Sequence, residues 1–439
     1  MSSHQLYQVQ FRGVSFEGAF VLHHYQNNLL IRLPRAGPTC KYTPDMLYVA
    51  TVAVVLSVSS IVPCDSKSPP GHLQPLGHHQ PPLGQIESLD TIPSPEDFYH
   101  NYVLPARPVV LSGAARLSPA YHRWTDRYLR DRHADGVAEV DSSKKESAES
   151  ERNQMRMDAF LQQYNQSEMY MLDRLPKTMM EEVYLPPCLS CGGFTRNLHD
   201  FRLWMSSGGT KSTFHMDNME NILCMYSGRK DWFLVDREVG RYTLHHHADG
   251  TEDLAVDVER VDMYRYPSMR TIPWWSARIE KGDCLYLPHG WLHYVQSYGR
   301  NLAVNVWWTP LYSFDYSDCA ARDHQTPIQL SALELRPGEQ IRYVIITYLE
   351  EYGGKLPKDM VQAQVIYDEV VITDRMFRGL DTNHDGWLTV EEVNDLQVET
   401  IEWLLPNKYL EAVMTFGRCE AYNNTATGVH TFTCANTCT

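Results

Sequence analysis

Two imidazoles and one carboxylate carry the first chemistry legible in the sequence. His215-Met216-Asp217 sets an imidazole and a carboxylate two positions apart. On a β-strand, where side chains repeat every second residue, both project from one face. His293 closes the string Tyr286-Leu-Pro-His-Gly-Trp-Leu-His293 and arrives from a distant strand to complete a two-His-one-carboxylate set. Such a set grips non-haem Fe(II) from one side and leaves adjacent positions open for an organic co-substrate and O₂ together. His215, Asp217 and His293 are therefore read as iron ligands. A lone His-x-Asp is common, and a buried His is ordinarily hydrogen-bonded core. The weight rests on the motifs that accompany the three.

A second chemistry lies in Asp381-Thr-Asn-His-Asp-Gly-Trp-Leu-Thr-Val-Glu-Glu392. Asp381, Asn383 and Asp385 occupy the first, third and fifth positions of a calcium loop. Gly386 makes its sharp turn, Trp387 offers a backbone carbonyl, Thr389 takes the ninth position and Glu392 is the closing bidentate acid. Phe377 and Leu380 before the loop, with Val393 and Leu396 after it, give the flanking helices an apolar face. The expectation is an EF-hand binding Ca²⁺. No second intact loop is visible, since the turn at Glu350–Leu356 lacks acids at alternating spacing. Low affinity, a degenerate partner and pairing between chains all stay open. His245-His-His247 looks metallic, but neighbours on an extended chain point to opposite sides, so a solvated loop is expected there.

Strands must deliver the first set. Asn221–Tyr226 and Lys230–Val235 are apolar runs joined by Ser227-Gly-Arg, which predicts a hairpin. Ile279–Pro288 reads as a turn leading into a strand, followed by a bend at Gly290 that brings in His293. Leu302–Trp308 alternates, so Asn305 and Trp307 share a face. Upstream, Ser94 caps a helix with Pro95 in its first turn, and Arg107–Gly113 is a short strand ending in a turn. Asp141–Gln154 is charged and polar, hence a surface loop; Met157–Tyr164 predicts a helix and Met169–Leu172 a strand. Beyond Pro310 the pattern turns helical, most clearly over Glu339–Tyr352.

At 439 residues the chain has room for two or three domains, or one large β-domain with attachments, and 26 Tyr with 10 Trp favour strands and aromatic pockets. A net charge of −15 opposes sequence-independent binding of nucleic acid, which needs a basic surface. Residues 1–45 show no clear period and are expected to be poorly ordered. Met46–Val62 is an uncharged run near the lower limit, roughly 17 residues, for a membrane span. It equally suits a signal-peptide core, with Arg32, Arg35 and Lys41 on its N-terminal side. Residues 63–85, rich in Pro, Gly and His, read as a linker. Residues 86–310 then form the oxygen-chemistry domain, 311–410 a helical region, and 411–439 a tail in which Cys419, Cys434 and Cys438 suggest disulfides. Cys224 and Cys284 read as core thiols, and Cys188-Leu-Ser-Cys191 as a local disulfide or two free thiols. Asn165-Gln-Ser167 and Asn423-Asn-Thr425 are glycosylation acceptors by pattern. The expected location is the secretory pathway: endoplasmic reticulum lumen, membrane-anchored or secreted.

Taken together, Ser88 to Trp308 resembles the JmjC family of Fe(II)- and 2-oxoglutarate-dependent oxygenases, particularly the protein-hydroxylase branch that includes factor inhibiting HIF. The resemblance implies a mainly β fold, a double-stranded β-helix (jelly-roll, cupin) with flanking helices and the metal inside its mouth. It implies Fe(II) and 2-oxoglutarate as cofactors and hydroxylation of a C–H bond in a protein or peptide substrate. Residue by residue, it carries the iron-ligand role to His215, Asp217 and His293, and the pairing of the far co-substrate carboxylate to Lys230. Ser212, or Thr213 one position on, matches a hydroxyl donor to that carboxylate. Asn221 and Asn305 match pocket asparagines near the co-substrate, Tyr170 a further hydroxyl donor, and Trp307 a pocket wall. An anion in a mostly apolar barrel needs a compensating cation, so the position of Lys230 agrees with the physical demand. The competing functions are a calcium-binding protein on a catalytically inactive JmjC scaffold, and an N-methyl demethylase, which begins with the same hydroxylation.

Overall fold

The structure is a computed structural model that describes residues 68–145, 152–217, 219–240, 256–311, 313–320 and 326–405, apart from 364 and 367–369. It also describes Thr243 and the further strand segments named below. Two units are distinguished, 1–67 and 68–439. In the first, Leu6–Phe11 (β1) pairs antiparallel with Val14–Ala19 (β2), and Leu22–Tyr25 (β3) with Asn28–Ile31 (β4). These short runs carry the aromatic and aliphatic residues that favour strands. Met46–Val62, the His245–His247 run and the cysteine-bearing tail lie outside the described residues. Among the described residues no helix is long and apolar enough to cross a membrane.

The second unit is built on a 12-stranded mixed sheet. Its strands are Ser88–Leu89 (β5), Val109–Leu111 (β6), Val137–Asp141 (β7), Arg152–Arg156 (β8), Tyr170–Arg174 (β9), Leu198–Ser206 (β10), Phe214–His215 (β11), Glu220–Val235 (β12), Asp253–Leu254 (β13), Trp275–Glu280 (β14), Cys284–Leu287 (β15) and Leu292–Trp308 (β16). The spatial order is β5-β6-β15-β12-β16-β10-β9-β7-β8, with β11 on β16 and β13, and β14 on β12. The two longest strands, β12 and β16, pair antiparallel from Glu220↔Trp308 to Val235↔Leu292. Alternation sorts their side chains into two cores. Ile222, Cys224, Tyr226 and Trp308 pack with Phe98 and Tyr99 of the N-terminal helices. Leu223, Met225, Trp232 and Leu234 pack with Ala277, Ile279, Leu285 and Val295. This mainly β jelly-roll with flanking helices is the cupin-like fold that the resemblance implies.

Several local expectations hold. Pro95–Phe98 (α1) is capped by Ser94, whose Oγ accepts from the Asp97 amide at 3.1 Å. Met157–Gln163 (α2) is helical, and Pro337–Glu351 (α3) begins two residues before the expected start. Others need correction. Asn221–Tyr226 and Lys230–Val235 are not a hairpin but halves of one strand, both paired to β16, with bulges between Met225 and Arg229. Gly228 sits there at φ 76°, and a Cβ would come within 2.5 Å of the Arg300 carbonyl. A bulge and a tight turn demand the same left-handed glycine, so the local signal is the same. The Asp141–Gln154 surface loop is shorter than expected, because Asp141 pairs with Arg152 at the end of the β7–β8 ladder.

The linker is no linker over 68–85. The Leu73 and Leu76 amides donate to the Val261 and Val258 carbonyls at 2.8 Å, and His79 bonds the Ile272 carbonyl at 2.9 Å. Leu76 packs on the small core around Phe214, Val258 and Met263, which holds a turn-rich segment in place. The cysteines also differ from expectation. Cys224 is disulfide-bonded to Cys284, its directly opposed partner in the β12–β15 ladder, and Cys191 to Cys319, while Cys188 is free and buried.

Candidate active site

β11 is two residues long and sits where it must. Phe214 turns into the apolar core with Phe233 and Leu292, so by alternation His215 turns the other way. His215 is paired in register with His293 at the start of β16, and their ring centroids lie 4.3 Å apart. The turn before His293 is tied down by the Gly290 amide, which donates to the Asp217 carbonyl at 2.8 Å. Each imidazole is held through Nδ1: that of His215 lies 3.0 Å from the Thr213 carbonyl, that of His293 2.9 Å from the Trp291 carbonyl. Donation there leaves Nε2 as the lone-pair nitrogen in both rings. His215 Nε2 stands 3.8 Å from Asp217 Oδ1, and His293 Nε2 3.7 Å from Asp217 Oδ2. One donor atom from each of the three lies within 4.8 Å of the others. Burial, aided by the neighbouring His215 and opposed by Asp217, lowers the His293 pKa to about 4, so the ring is neutral and able to ligate near pH 7. Two imidazole nitrogens and one carboxylate are the donor set that suits Fe(II) with positions to spare.

Behind the carboxylate runs a chain of amides. Asn221 Nδ2 donates to Asp217 Oδ2 at 3.2 Å, and Asn305 Nδ2 donates to Asn221 Oδ1 at 3.1 Å. An ionised carboxylate only accepts, so the direction of both bonds is fixed from Asp217 outward. Asn305 Oδ1 at the far end is buried without a hydrogen-bond partner among the described residues, an orphan acceptor of the kind a ligand or water satisfies.

Lys230 is only 3 % exposed and its Nζ donates to Ser297 Oγ at 2.8 Å. Lys230 alternates with Trp232 and Leu234, and Ser297 with Val295 and His293, so the ammonium shares the face that carries the metal ligand. The Ser212 hydroxyl donates to the Thr213 carbonyl at 2.8 Å and accepts from the Val295 amide at 2.9 Å, so its proton is committed to the backbone. Thr213 Oγ1 lies 3.3 Å from His215 Nδ1. Tyr170 is buried on β9 against Trp204, ring centroids 5.9 Å apart. Trp307 carries the Arg202 guanidinium 5.4 Å above its ring.

Sequence reasoning missed Ser297, although its place four residues after His293 on a strand puts it on the same face. It also missed Trp232, whose ring lies 5.8 Å from that of His293.

The Asp381–Glu392 loop joins Asp374–Leu380 to Val390–Asp395, and Phe377, Leu380 and Val393 are buried in one helical core. Its side chains turn inward. Asp381 accepts from the Asp385 and Gly386 amides at 3.2 and 3.1 Å, and Asp385 from the Trp387 amide at 2.8 Å. Glu392 accepts from the Asn383 and Thr389 amides at 3.2 and 3.1 Å. Trp387–Thr389 pairs antiparallel with Lys355–Pro357 of the same chain, so the acid-poor turn after α3 lies beside the loop. Lys355 Nζ is 3.3 Å from Asp385 Oδ2.

The jelly-roll and its inward His-Asp-His cluster define a cupin-type domain with three side chains placed so that they could hold one metal ion. The cupin-like domain family matches residues 95–314, and the chain belongs to that family, in its JmjC form. Among its relatives are Jumonji C domain-containing protein 5 of Drosophila melanogaster, 25% identical over 51% of this chain and 59% of the fly protein, and Lysine-specific demethylase 8 of Xenopus tropicalis, 23% identical over 49% of this chain and 51% of the frog protein. A third is the human bifunctional peptidase and (3S)-lysyl hydroxylase JMJD7, 25% identical over 52% of this chain and 85% of that protein. The chain thus spans little more than half the length of the first two.

Proposed function

We propose that this chain is an Fe(II)- and 2-oxoglutarate-dependent dioxygenase that hydroxylates a protein side chain. One observation carries the reading: His215, Asp217 and His293 converge from two segments with both Nδ1 atoms anchored, on the face that also buries the Lys230 ammonium. His215, Asp217 and His293 would hold the iron, which when bound supplies O₂ activation coupled to decarboxylation of 2-oxoglutarate. Lys230, steadied by Ser297, would pair with the far carboxylate of the co-substrate, because an anion held away from water needs a buried cation. Asn221 and Asn305 keep the Asp217 carboxylate turned toward the metal position. Ser212 serves better as a brace for the Val295 backbone than as a carboxylate donor; Thr213 and Tyr170 are the remaining hydroxyls for that task. The names of two relatives point to lysine, and a net charge of −15 suits a basic peptide, so lysine is the side chain to examine first.

The test is succinate release with Fe(II) and 2-oxoglutarate, wild type against Asp217→Ala. Turnover lost in the variant supports an oxygenase; no turnover and no metal uptake in the wild type would leave an inactive scaffold. Formaldehyde from a methylated peptide would mark a demethylase, a reading favoured by the frog relative's name.

The Asp381–Glu392 loop is proposed to take Ca²⁺ through Asp381, Asn383, Asp385, the Trp387 carbonyl, Thr389 and Glu392, a set of oxygen donors that suits a hard cation. The secretory pathway is proposed as the location. Two disulfides support it, as does Asn165, exposed on the turn that follows α2 in an Asn-Gln-Ser acceptor. Peptide mapping for a glycan at Asn165 checks that assignment.

A further inference from the structure

The three metal ligands come from two stretches of chain, and something must fix one stretch against the other. His215 and Asp217 precede β12; His293 follows the Pro288–Trp291 turn. Glu220, the first residue of β12, is a carboxylate only 1 % exposed that none of the roles above uses. Its Oε2 accepts from the Tyr286 hydroxyl at 2.6 Å and from the His289 amide at 3.3 Å, and its Oε1 lies 2.8 Å from His289 Nδ1. One buried carboxylate thus collects three contacts from the segment that delivers His293. Two of them fall on His289, next to the Gly290 whose amide is bonded to the Asp217 carbonyl. Tyr286 is itself fully buried, edge-on to Phe98 and stacked on Trp308.

We infer that Glu220 is a positioning residue of the metal centre: through His289 it clamps the turn before His293 onto the segment bearing Asp217. This rests on the reading of His215, Asp217 and His293 as metal ligands. A carboxylate is needed because both oxygens must accept. In Glu220→Gln the amide keeps one acceptor and turns N–H groups toward donors, which breaks the clamp while keeping its volume. The two contacts with His289 set where His293 Nε2 stands; the bond from Tyr286 secures Glu220 to the core and should matter for stability alone.

Mn(II) binding to the full chain, measured by titration without co-substrate or turnover, separates these roles. Glu220→Gln and His289→Ala are expected to weaken Mn(II) binding about 10- to 100-fold, the usual cost of losing a partner behind a metal ligand. Tyr286→Phe should lower the melting temperature yet leave Mn(II) affinity within about twofold, since the clamp on His289 persists. Wild-type affinity in both Glu220→Gln and His289→Ala would overturn the inference. So would a loss of affinity that tracks melting temperature across all three variants, because that marks a merely structural residue. Should Glu220→Gln fail to fold, His289→Ala against Tyr286→Phe makes the same comparison. Asp217→Ala guards the underlying reading. If it binds Mn(II) as well as wild type, the triad is not the metal site and the assignment of Glu220 falls with it; if it alone loses binding, the triad stands and only the clamp is refuted.

Discussion

Replacing Lys230 with methionine isolates the electrostatic part of co-substrate binding. Methionine fills much of the same volume without the charge, so the packing around position 230 changes little. Lys230 is 3 % exposed and its ammonium donates to Ser297 at 2.8 Å, so a carboxylate docking on it would form a charge-assisted hydrogen bond shielded from water. Bonds of that type contribute about 1.5–3 kcal/mol. Lys230→Met should therefore raise the KM for 2-oxoglutarate about 10- to 150-fold. The variant should also lose the stabilisation that 2-oxoglutarate gives the wild type. The assays are succinate release against 2-oxoglutarate concentration at saturating Fe(II), and paired melts with and without co-substrate. An unchanged KM, or a variant that melts lower but is still stabilised by 2-oxoglutarate, would refute the role.

Other consequences are simpler to check. Cys191–Cys319 spans 128 residues of sequence; the loop-entropy view gives such a bridge roughly 4–5 kcal/mol, so Cys191→Ser with Cys319→Ser should melt roughly 10 °C lower. A nonreducing peptide map should show Cys191 linked to Cys319 and Cys224 to Cys284. Chelating calcium should lower the melting temperature of the 340–410 region, whereas Lys355→Met, which removes a tethered cation from Asp385, should tighten calcium binding a few-fold; equal melts in calcium and chelator would count against a filled loop. Burial pushes the Cys188 thiol well above its ordinary pKa, so in the folded protein it should resist iodoacetamide at pH 8 and react once denatured.

What could be read from the sequence was what is local or periodic. His215 and Asp217 were legible as a pair from their spacing alone, although β11 ends at His215 and Asp217 lies just beyond it, and Ser94-Pro95 announces a helix because the cap chemistry is confined to one turn. Partners set by register between distant strands were out of reach. Cys224 reads as an ordinary core thiol until β15 is known to put Cys284 directly across from it. The hydroxyl oxygen of Ser212 accepts from the Val295 amide only because β16 brings that amide alongside. Gly228 shows a different limit, since bulge and hairpin ask the same of the backbone and only pairing of both halves with β16 separates them. The 68–85 segment looked like a linker from its Pro and Gly content, but Leu76 found a core to enter.

The most direct test of the whole account is a crystal structure of the chain grown anaerobically with Mn(II) and 2-oxoglutarate, with the metal located by its anomalous scattering. The expected result is one metal peak bonded to His215 Nε2, His293 Nε2 and a carboxylate oxygen of Asp217, with the far carboxylate of the co-substrate on Lys230. A metal peak elsewhere, or a co-substrate whose carboxylate avoids Lys230, would contradict it.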